Sequence, residues 1–139
     1  MPDKRHIALE GSYNTRDIGG YTIDKDRVTR SRRYIRCDGM HRLTDEDQNK
    51  LTDYGLKTII DLRTTEEVNQ EPNVFANSKL VKYNRINIIG DEALTAYDQQ
   101  VKTGVSYKRI EAAYTSWLEN RKPMILKALS ILSDSGNGM

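Results

Sequence analysis

Two charged residues, Asp61 and Arg63, follow a run of apolar and β-branched residues that is typical of a buried strand. The run 56–60 comes after a turn glycine, Gly55, and Thr64 or Thr65 offers a helix start beyond it, so we predict a strand that leads into a helix. Open α/β sheets place ligand crevices at the carboxyl ends of their strands, where both charges would lie. A carboxyl group there could act as a general acid, but an ion pair that only ties down the loop would give the same spacing.

A second polar group lies in the loop 14–20, where Asn and Asp favour side-chain-to-backbone turns and paired glycines permit unusual backbone angles. We therefore expect a loop of defined shape. Residues 21–23 and 28–35 alternate weakly and predict short strands on either side of a turn at 24–26. Residues 7–9 could form an edge strand before them.

Helix signals surround these segments. Thr44, followed by three acidic residues, predicts a helix that ends at Gly55, with Leu43 as a hydrophobic staple. The short helix after the Asp61 strand must end before Pro72.

The remainder predicts a strand over 80–89 and helices over 91–102, 106–120 and 123–132, with 133–139 as a connector to a further element. Apolar residues at helical spacing predict a core-facing stripe on each of the last two helices. The stripe residues are Ile110, Ala113, Tyr114 and Trp117, followed by Ile125, Leu129 and Leu132.

Composition narrows the classes of function. The 22 basic and 20 acidic residues are too balanced for nucleic acid as the main partner. No apolar run approaches the ~20 residues that span a bilayer, and no segment resembles a signal peptide. The single cysteine, Cys37, fits a reducing compartment. We expect a cytoplasmic protein, although a secreted protein whose leader had been removed would show the same pattern.

No cofactor is expected. His6 and His41 lack a partner histidine nearby, no group of residues has metal-ligand spacing, and no glycine-rich phosphate loop occurs. A cluster of arginines forms either a solvated face or an anion-attracting surface. Its members are Arg27, Arg30, Arg32, Arg33 and Arg36.

Four segments occur in an order that is found in a known family. They are Glu10–Tyr21, Arg33–Asp38, Leu43–Asp47 and Ile59–Glu67. Together they resemble the bacterial and fungal tyrosine-phosphatase-like family, which carries Asn-x-Arg-Asp-Leu-Gly-Gly, Arg-Ser-Asp and Asp-Leu-Arg-Ser-x-x-Glu in this order. The resemblance covers residues 7 to about 72 well, and from there to the end it rests only on helical character and a Tyr-rich amphipathic helix. It implies an α/β phosphotyrosine-phosphatase-like sheet flanked by helices, and hydrolysis of phosphomonoesters.

Members of that family look like cysteine-dependent phosphatases with a His-Cys-x-x-Gly-Lys-Asp-Arg loop, which this chain does not contain. Backbone amides and an arginine fork hold the phosphate there while a thiolate attacks phosphorus. Cys37 does not fit, because four residues rather than five separate it from Arg42, and it matches the serine of Arg-Ser-Asp. We therefore expect residues 1–139 to be the N-terminal part of one such domain, truncated before the catalytic loop and inactive alone.

The resemblance also implies site residues. Asp61 and Arg63 would border the phosphate site, with an acid-assisting role for Asp61 as a hypothesis. Asn14, Arg16 and Asp17 would border it as well, although Arg16 and Asp17 could instead only brace their own turn. The substrate would be a phosphorylated protein or a small phosphomonoester, and phosphotyrosine, phosphoserine and phosphoinositide all suit such a pocket.

A non-catalytic function is the alternative. The arginine face 27–36 could serve an anion-binding or protein-interaction module that has no nucleophile. If a catalytic strand belongs beside the Asp61 strand, its absence would expose a sheet edge and favour self-association.

Overall fold

The computed structural model describes residues 5–91 and 107–135, which form a mixed α/β protein as predicted. The elements in chain order are β1 (Arg16–Asp17), β2 (Ile35–Arg36), α1 (Asp45–Tyr54), β3 (Thr58–Asp61), α2 (Thr65–Gln70), β4 (Lys82–Arg85), α3 (Tyr107–Asn120) and α4 (Lys122–Ser135). Contacts divide the chain into two compact units. Of the described residues, the first unit holds 5–59, Glu71–Tyr83 and Ser135, and the second holds Ile60–Gln70, 84–91 and 107–134.

The strands form two small sheets. In the first sheet β1 and β2 are antiparallel, with Asp17 opposite Ile35. The second sheet joins β3 to β4, and the backbone N–H of Lys82 donates to Lys57 O at 2.8 Å while that of Ile86 donates to Asp61 O at 2.8 Å. Both bonds advance in the same direction along the two strands, so this pair is parallel. The buried strand that was predicted to end at Asp61 is confirmed.

The N-terminal strand predictions were partly wrong. Residues 7–9 form no strand, and only the neighbouring His6 bridges to Arg16. The hairpin around 24–26 contains one isolated bridge, between Thr22 and Val28. The paired strands are β1 and β2 instead. β1 lies within the segment 14–20, which was predicted to be only a shaped loop.

The helix predictions around β3 are confirmed. Thr44 caps α1, since its hydroxyl accepts the N–H of Asp47 at 3.1 Å and the Asp47 carboxylate accepts the N–H of Thr44 at 3.3 Å. Gly55 ends the helix at a φ of 113°, a left-handed conformation that favours glycine. Leu51, on α1, is fully buried in the core of the first unit. That core consists of Ile7, Met40, Leu43, Leu51, Ile59, Phe75 and Val81.

In the second unit the helices predicted over 106–120 and 123–132 form, but part of each predicted core-facing stripe was wrong. Tyr114 on α3 is 59% exposed, and Leu129 on α4 is 56% exposed, whereas the small residue Ala128 is buried. The inward face of α4 runs through Ile125, Ala128 and Ile131, so it keeps a helical period but is displaced from the predicted stripe. The stripe residues Trp117 and Ile125 are half-buried.

Other predictions for the last third have mixed outcomes. Leu132 of the predicted stripe is also 36% exposed, and residues 133–135 continue α4 instead of beginning a connector. The predicted helix 91–102 lies outside the described residues except for Asp91. The side chains of Ile110 and Ala113 also lie outside the description. None of the described helices is long and apolar enough to cross a membrane.

Candidate functional site

The carboxyl end of β3 carries a tightly paired carboxylate and guanidinium. Arg63 Nε lies 2.9 Å from Asp61 Oδ1, and Arg63 Nη2 lies 2.7 Å from Asp61 Oδ2. The backbone N–H of Arg63 donates to the same carboxylate at 3.2 Å. The Asp61 side chain is 5% exposed and that of Arg63 is 19% exposed, so this two-pronged pair is largely shielded from water.

The next turn of chain holds this pair in place. Thr64 is fully buried, and its N–H and hydroxyl both donate to Glu67 Oε2, at 2.9 and 2.7 Å. Glu67 therefore satisfies donors at the start of α2 that have no partner within the helix. The backbone that follows Arg63 is fixed, which limits the positions that its guanidinium can reach.

Asn14, Arg16 and Asp17 lie in the first unit. Arg16 Nη2 donates to Asn14 Oδ1, so these two predicted site residues do contact each other. The buried Asp17 carboxylate accepts the backbone N–H of Gly19 at 2.7 Å and the Tyr54 hydroxyl at 2.7 Å. It also accepts the backbone N–H of Arg32 at 2.5 Å.

These contacts give Asp17 a bracing role. Burial by itself raises the pKa of Asp17, but the hydrogen bonds from Arg32, Gly19 and Tyr54 outweigh it and lower the pKa below the usual range. The ionised side chain thus ties the loop to α1. Its place at the border of a phosphate site stays a prediction, as it does for Asn14 and Arg16.

A cluster around Cys37 was not predicted from the sequence. Thr15 Oγ1 lies 2.9 Å from Cys37 Sγ and 2.5 Å from Ser12 Oγ, and Ser12 also donates to the Asp38 carboxylate. Burial raises the pKa of Cys37, and this effect outweighs the lowering effect of the Thr15 and Ser12 hydroxyls. A thiol in this state is a weak nucleophile. The Arg-Cys-Asp segment was the only sequence signal for this cluster.

An acidic residue anchors another loop in the first unit. The Asp47 carboxylate accepts the backbone N–H of Glu10 at 2.9 Å and that of Gly11 at 2.8 Å, in addition to its capping bond. Burial raises its pKa, but these backbone hydrogen bonds together outweigh that effect, so the pKa lies below the usual range. The sequence identified Asp47 only as a helix-start acid. Its contacts show that it also positions the chain entering the 14–20 loop.

The structure thus defines an α/β protein with a parallel strand pair that ends on a paired carboxylate and arginine. A model of the tyrosine phosphatase family matches residues 7–139, so the chain belongs to the tyrosine phosphatase family. It is also 30% identical over 105 residues to a protein named tyrosine-protein phosphatase from Nostoc commune. That match covers 76% of this chain and 35% of the relative, so the chain spans about a third of the relative's length.

No group of three or more His, Cys, Asp and Glu side chains within residues 5–91 and 107–135 could hold a metal ion. Side chains that could hold an anion are present, and Arg63 is the one that adjoins β3. Its Nε and Nη2 are engaged by the Asp61 carboxylate, and a role for Arg63 at the border of a phosphate site stays a prediction.

Proposed function

We propose that the protein is a cysteine-dependent phosphomonoester hydrolase of the protein-tyrosine-phosphatase type. The observation that carries this proposal is the shielded Asp61–Arg63 pair at the carboxyl end of β3, where an α/β sheet places its ligand crevice. Membership of the tyrosine phosphatase family supports it. Residues 1–139 are, on this proposal, the N-terminal part of one domain whose complete form includes the nucleophile loop.

The proposed reaction has two steps. A cysteine thiolate attacks phosphorus, a sulfur–phosphorus bond forms, the ester oxygen leaves, and an acid gives that oxygen a proton. Water then attacks phosphorus and releases inorganic phosphate and the free thiolate. We assign the acid or an acid-assisting role to Asp61, and a phosphate-border role to Arg63. Cys37 is not the nucleophile, because its thiol is held by Thr15 and its pKa is raised.

The substrate on this proposal is a phosphorylated protein or a small phosphomonoester in the cytoplasm. The first experiment is to sequence the native gene beyond codon 139, measure the intact mass of the natural polypeptide and assay p-nitrophenyl phosphate hydrolysis. We expect an in-frame Cys-x-x-Gly-Lys-Asp-Arg segment and activity that its Cys→Ser variant abolishes. The matched Cys37→Ser variant should keep activity. A natural polypeptide that ends at Met139 would contradict the proposal.

The role of Asp61 needs a separate test in the active protein. Asp61→Asn should lower kcat by about 10²–10⁴-fold, the range for removal of a general acid, and should flatten one limb of the pH–rate profile. Asp53→Asn, at the exposed end of α1, is the matched control and should leave the profile unchanged. An Asp61→Asn variant with unchanged turnover across pH would eliminate the acid role.

One observation favours the second candidate, a non-catalytic anion-binding or protein-interaction module. Arg30 and Arg36 are exposed and have no side-chain partner among the described residues. Ile23 and Val28, on the connection between β1 and β2, are exposed as well. An Arg30→Gln/Arg36→Gln variant should lose binding to a poly-glutamate column if this face recruits acidic partners. Unchanged retention at 50 mM and 300 mM salt would count against that module.

A further inference from the structure

A cleft of about 370 Å³ opens in the second unit beside the end of β4 and the first turns of α4. Its lining includes Thr65, Arg85, Asn87, Asp91, Arg121 and Lys127. Three of these six side chains are cationic and one is a carboxylate. The cleft therefore has an excess of positive charge, which attracts anions.

Arg121 forms the half-buried wall of the cleft. Its Nε donates to Ile88 O at 3.2 Å and its Nη2 donates to Asn87 O at 2.9 Å. A guanidinium has five N–H donors, so three of them have no partner in the part of the chain that the structure describes. Because two bonds already hold Arg121 in place, little side-chain entropy is lost when its remaining donors engage a ligand.

The single carboxylate of the cleft is already occupied. Asp91 accepts the hydroxyl of Thr65 at 2.6 Å, its N–H at 2.9 Å, and Asn87 Nδ2 at 2.7 Å. The Thr65 hydroxyl and N–H are the main causes that lower the pKa of Asp91, so the group stays ionised and engaged. A cation would therefore find one carboxylate whose oxygens are shared with three donors, which is a poor cation site.

The two exposed cations complete the arrangement. Arg85 Nη2 donates to the Thr65 hydroxyl at 2.5 Å, and both residues line the cleft. The Lys127 ammonium has no partner within residues 5–91 and 107–135. Planar guanidinium forks and a mobile ammonium are the donors that phosphate oxygens prefer.

We propose that this cleft is an anion-binding subsite for a phosphoryl group, held by Arg121 with Arg85 and Lys127. The binding itself does not depend on hydrolysis, whereas its use as a subsite for substrate or product rests on the proposed function. The phosphoryl group can come from inorganic phosphate or from a phosphate ester. Both sources present the same dianionic oxygens to the same donors.

The test is a titration of the 139-residue chain followed by two-dimensional NMR at constant ionic strength. Sodium phosphate and phenyl phosphate are the two probes, and sodium chloride is the blank. We expect saturable shifts of the backbone amides from Asn87 to Asp91 with both probes. Tighter binding of phenyl phosphate would identify an ester subsite, and tighter binding of inorganic phosphate would identify a product site.

Variants connect those shifts to the cleft. Arg85→Gln and Lys127→Gln should each weaken binding by about tenfold, the loss expected for one exposed charge-assisted hydrogen bond. Lys122→Gln, on the same helix but outside the cleft lining, should not change binding. The proposal is overturned if neither probe gives saturable shifts, or if the double variant Arg85→Gln/Lys127→Gln binds as well as the parent. The titration measures binding and not turnover. Its result therefore tests the proposed subsite separately from the proposed hydrolysis, even if the chain is inactive.

Discussion

Arg63 holds both carboxylate oxygens of Asp61, with Nε 2.9 Å from Oδ1 and Nη2 2.7 Å from Oδ2, although only one residue separates the two in sequence. This pair shields a carboxylate at the carboxyl end of β3 and keeps a guanidinium beside it. The pair is the tied-down loop that the sequence allowed as one interpretation, and an acid role for Asp61 stays a prediction.

The Asp61–Arg63 pair should make a measurable contribution to folding. Asp61→Asn and Arg63→Gln should each lower the free energy of unfolding by about 2–4 kcal/mol, because each leaves a shielded polar group without its charged partner. The double variant should lose less than the sum of the two, with a coupling of about 1–3 kcal/mol. Urea denaturation at pH 7 measures all four proteins. Strictly additive losses would show that the pair does not act as a unit.

Asp47 should be more important for stability than its neighbour Asp45. Asp47→Ala removes the acceptor for the N–H groups of Glu10, Gly11 and Thr44, and should lower the free energy of unfolding by about 2–4 kcal/mol. Asp45→Ala, in the same helical turn but exposed, should lower it by about 0.5 kcal/mol or less. If both variants lose the same free energy of unfolding, the buried hydrogen bonds of Asp47 contribute no stability beyond that of a negative charge at the helix start.

The free energy of unfolding should decrease at acidic pH. The pKa values of Asp17, Asp38 and Asp47 are all lowered in the folded protein from an ordinary value of 3.8, because hydrogen bonds to the ionised groups outweigh the effect of burial. Their contribution is complete above that ordinary value. It is lost as the pH falls through 3.8 towards the lower folded pKa values, where the unfolded chain takes up protons first.

Urea midpoints measured between pH 7 and pH 2.5 test this expectation. The midpoint should be nearly constant at neutral pH and should decrease below about pH 4.5, where the unfolded carboxyls begin to bind protons. Asp47→Asn should reduce the steepness of that decrease. A midpoint that rises on acidification would mean that burial dominates and that these pKa values are raised instead.

Cys37 should react slowly with alkylating agents. Burial raises the pKa of its thiol, and contact with Thr15 restricts access to the sulfur. We expect iodoacetamide to modify it at least about tenfold more slowly than free cysteine at pH 8, with a rate that is still rising at pH 9. Mass spectrometry of timed samples gives the rates. Fast modification with an inflection below pH 7.5 would indicate an activated thiolate and reopen the question of a catalytic role.

Self-association through the edge of the second sheet stays a prediction, and the structure adds a competing surface. Leu126 and Leu129 on α4 are 65% and 56% exposed, an arrangement that favours association by hydrophobic contact. Sedimentation velocity from 5 to 500 μM should show a rising mean mass. If Leu126→Glu/Leu129→Glu abolishes the rise, the helix surface rather than the sheet edge is responsible. A monomer at every concentration would contradict both surfaces.

Local signals were sufficient where a few adjacent residues determine the structure. Thr44 and Gly55 bound α1 as predicted, since capping and a left-handed glycine act within one turn of chain. The apolar run before Asp61 forms β3, because adjacent apolar and β-branched residues are also a local signal. The sequence motifs also identified the family correctly, and the family match extends over residues 7–139, including the part beyond residue 72 where the motifs give out.

Long-range contacts decided the rest. Asp47 reaches Glu10, 37 positions away, and Asp17 reaches Tyr54 over the same separation, and no local pattern predicts such partners. The inward face of α4 runs through Ile125, Ala128 and Ile131, whereas the predicted stripe continued from Ile125 to the exposed Leu129 and Leu132. The amino-acid sequence by itself determined the family, both ends of α1 and the strand that ends on Asp61. Only the tertiary structure decided which carboxylates lose water and gain partners, because burial and pairing depend on residues that are distant along the chain.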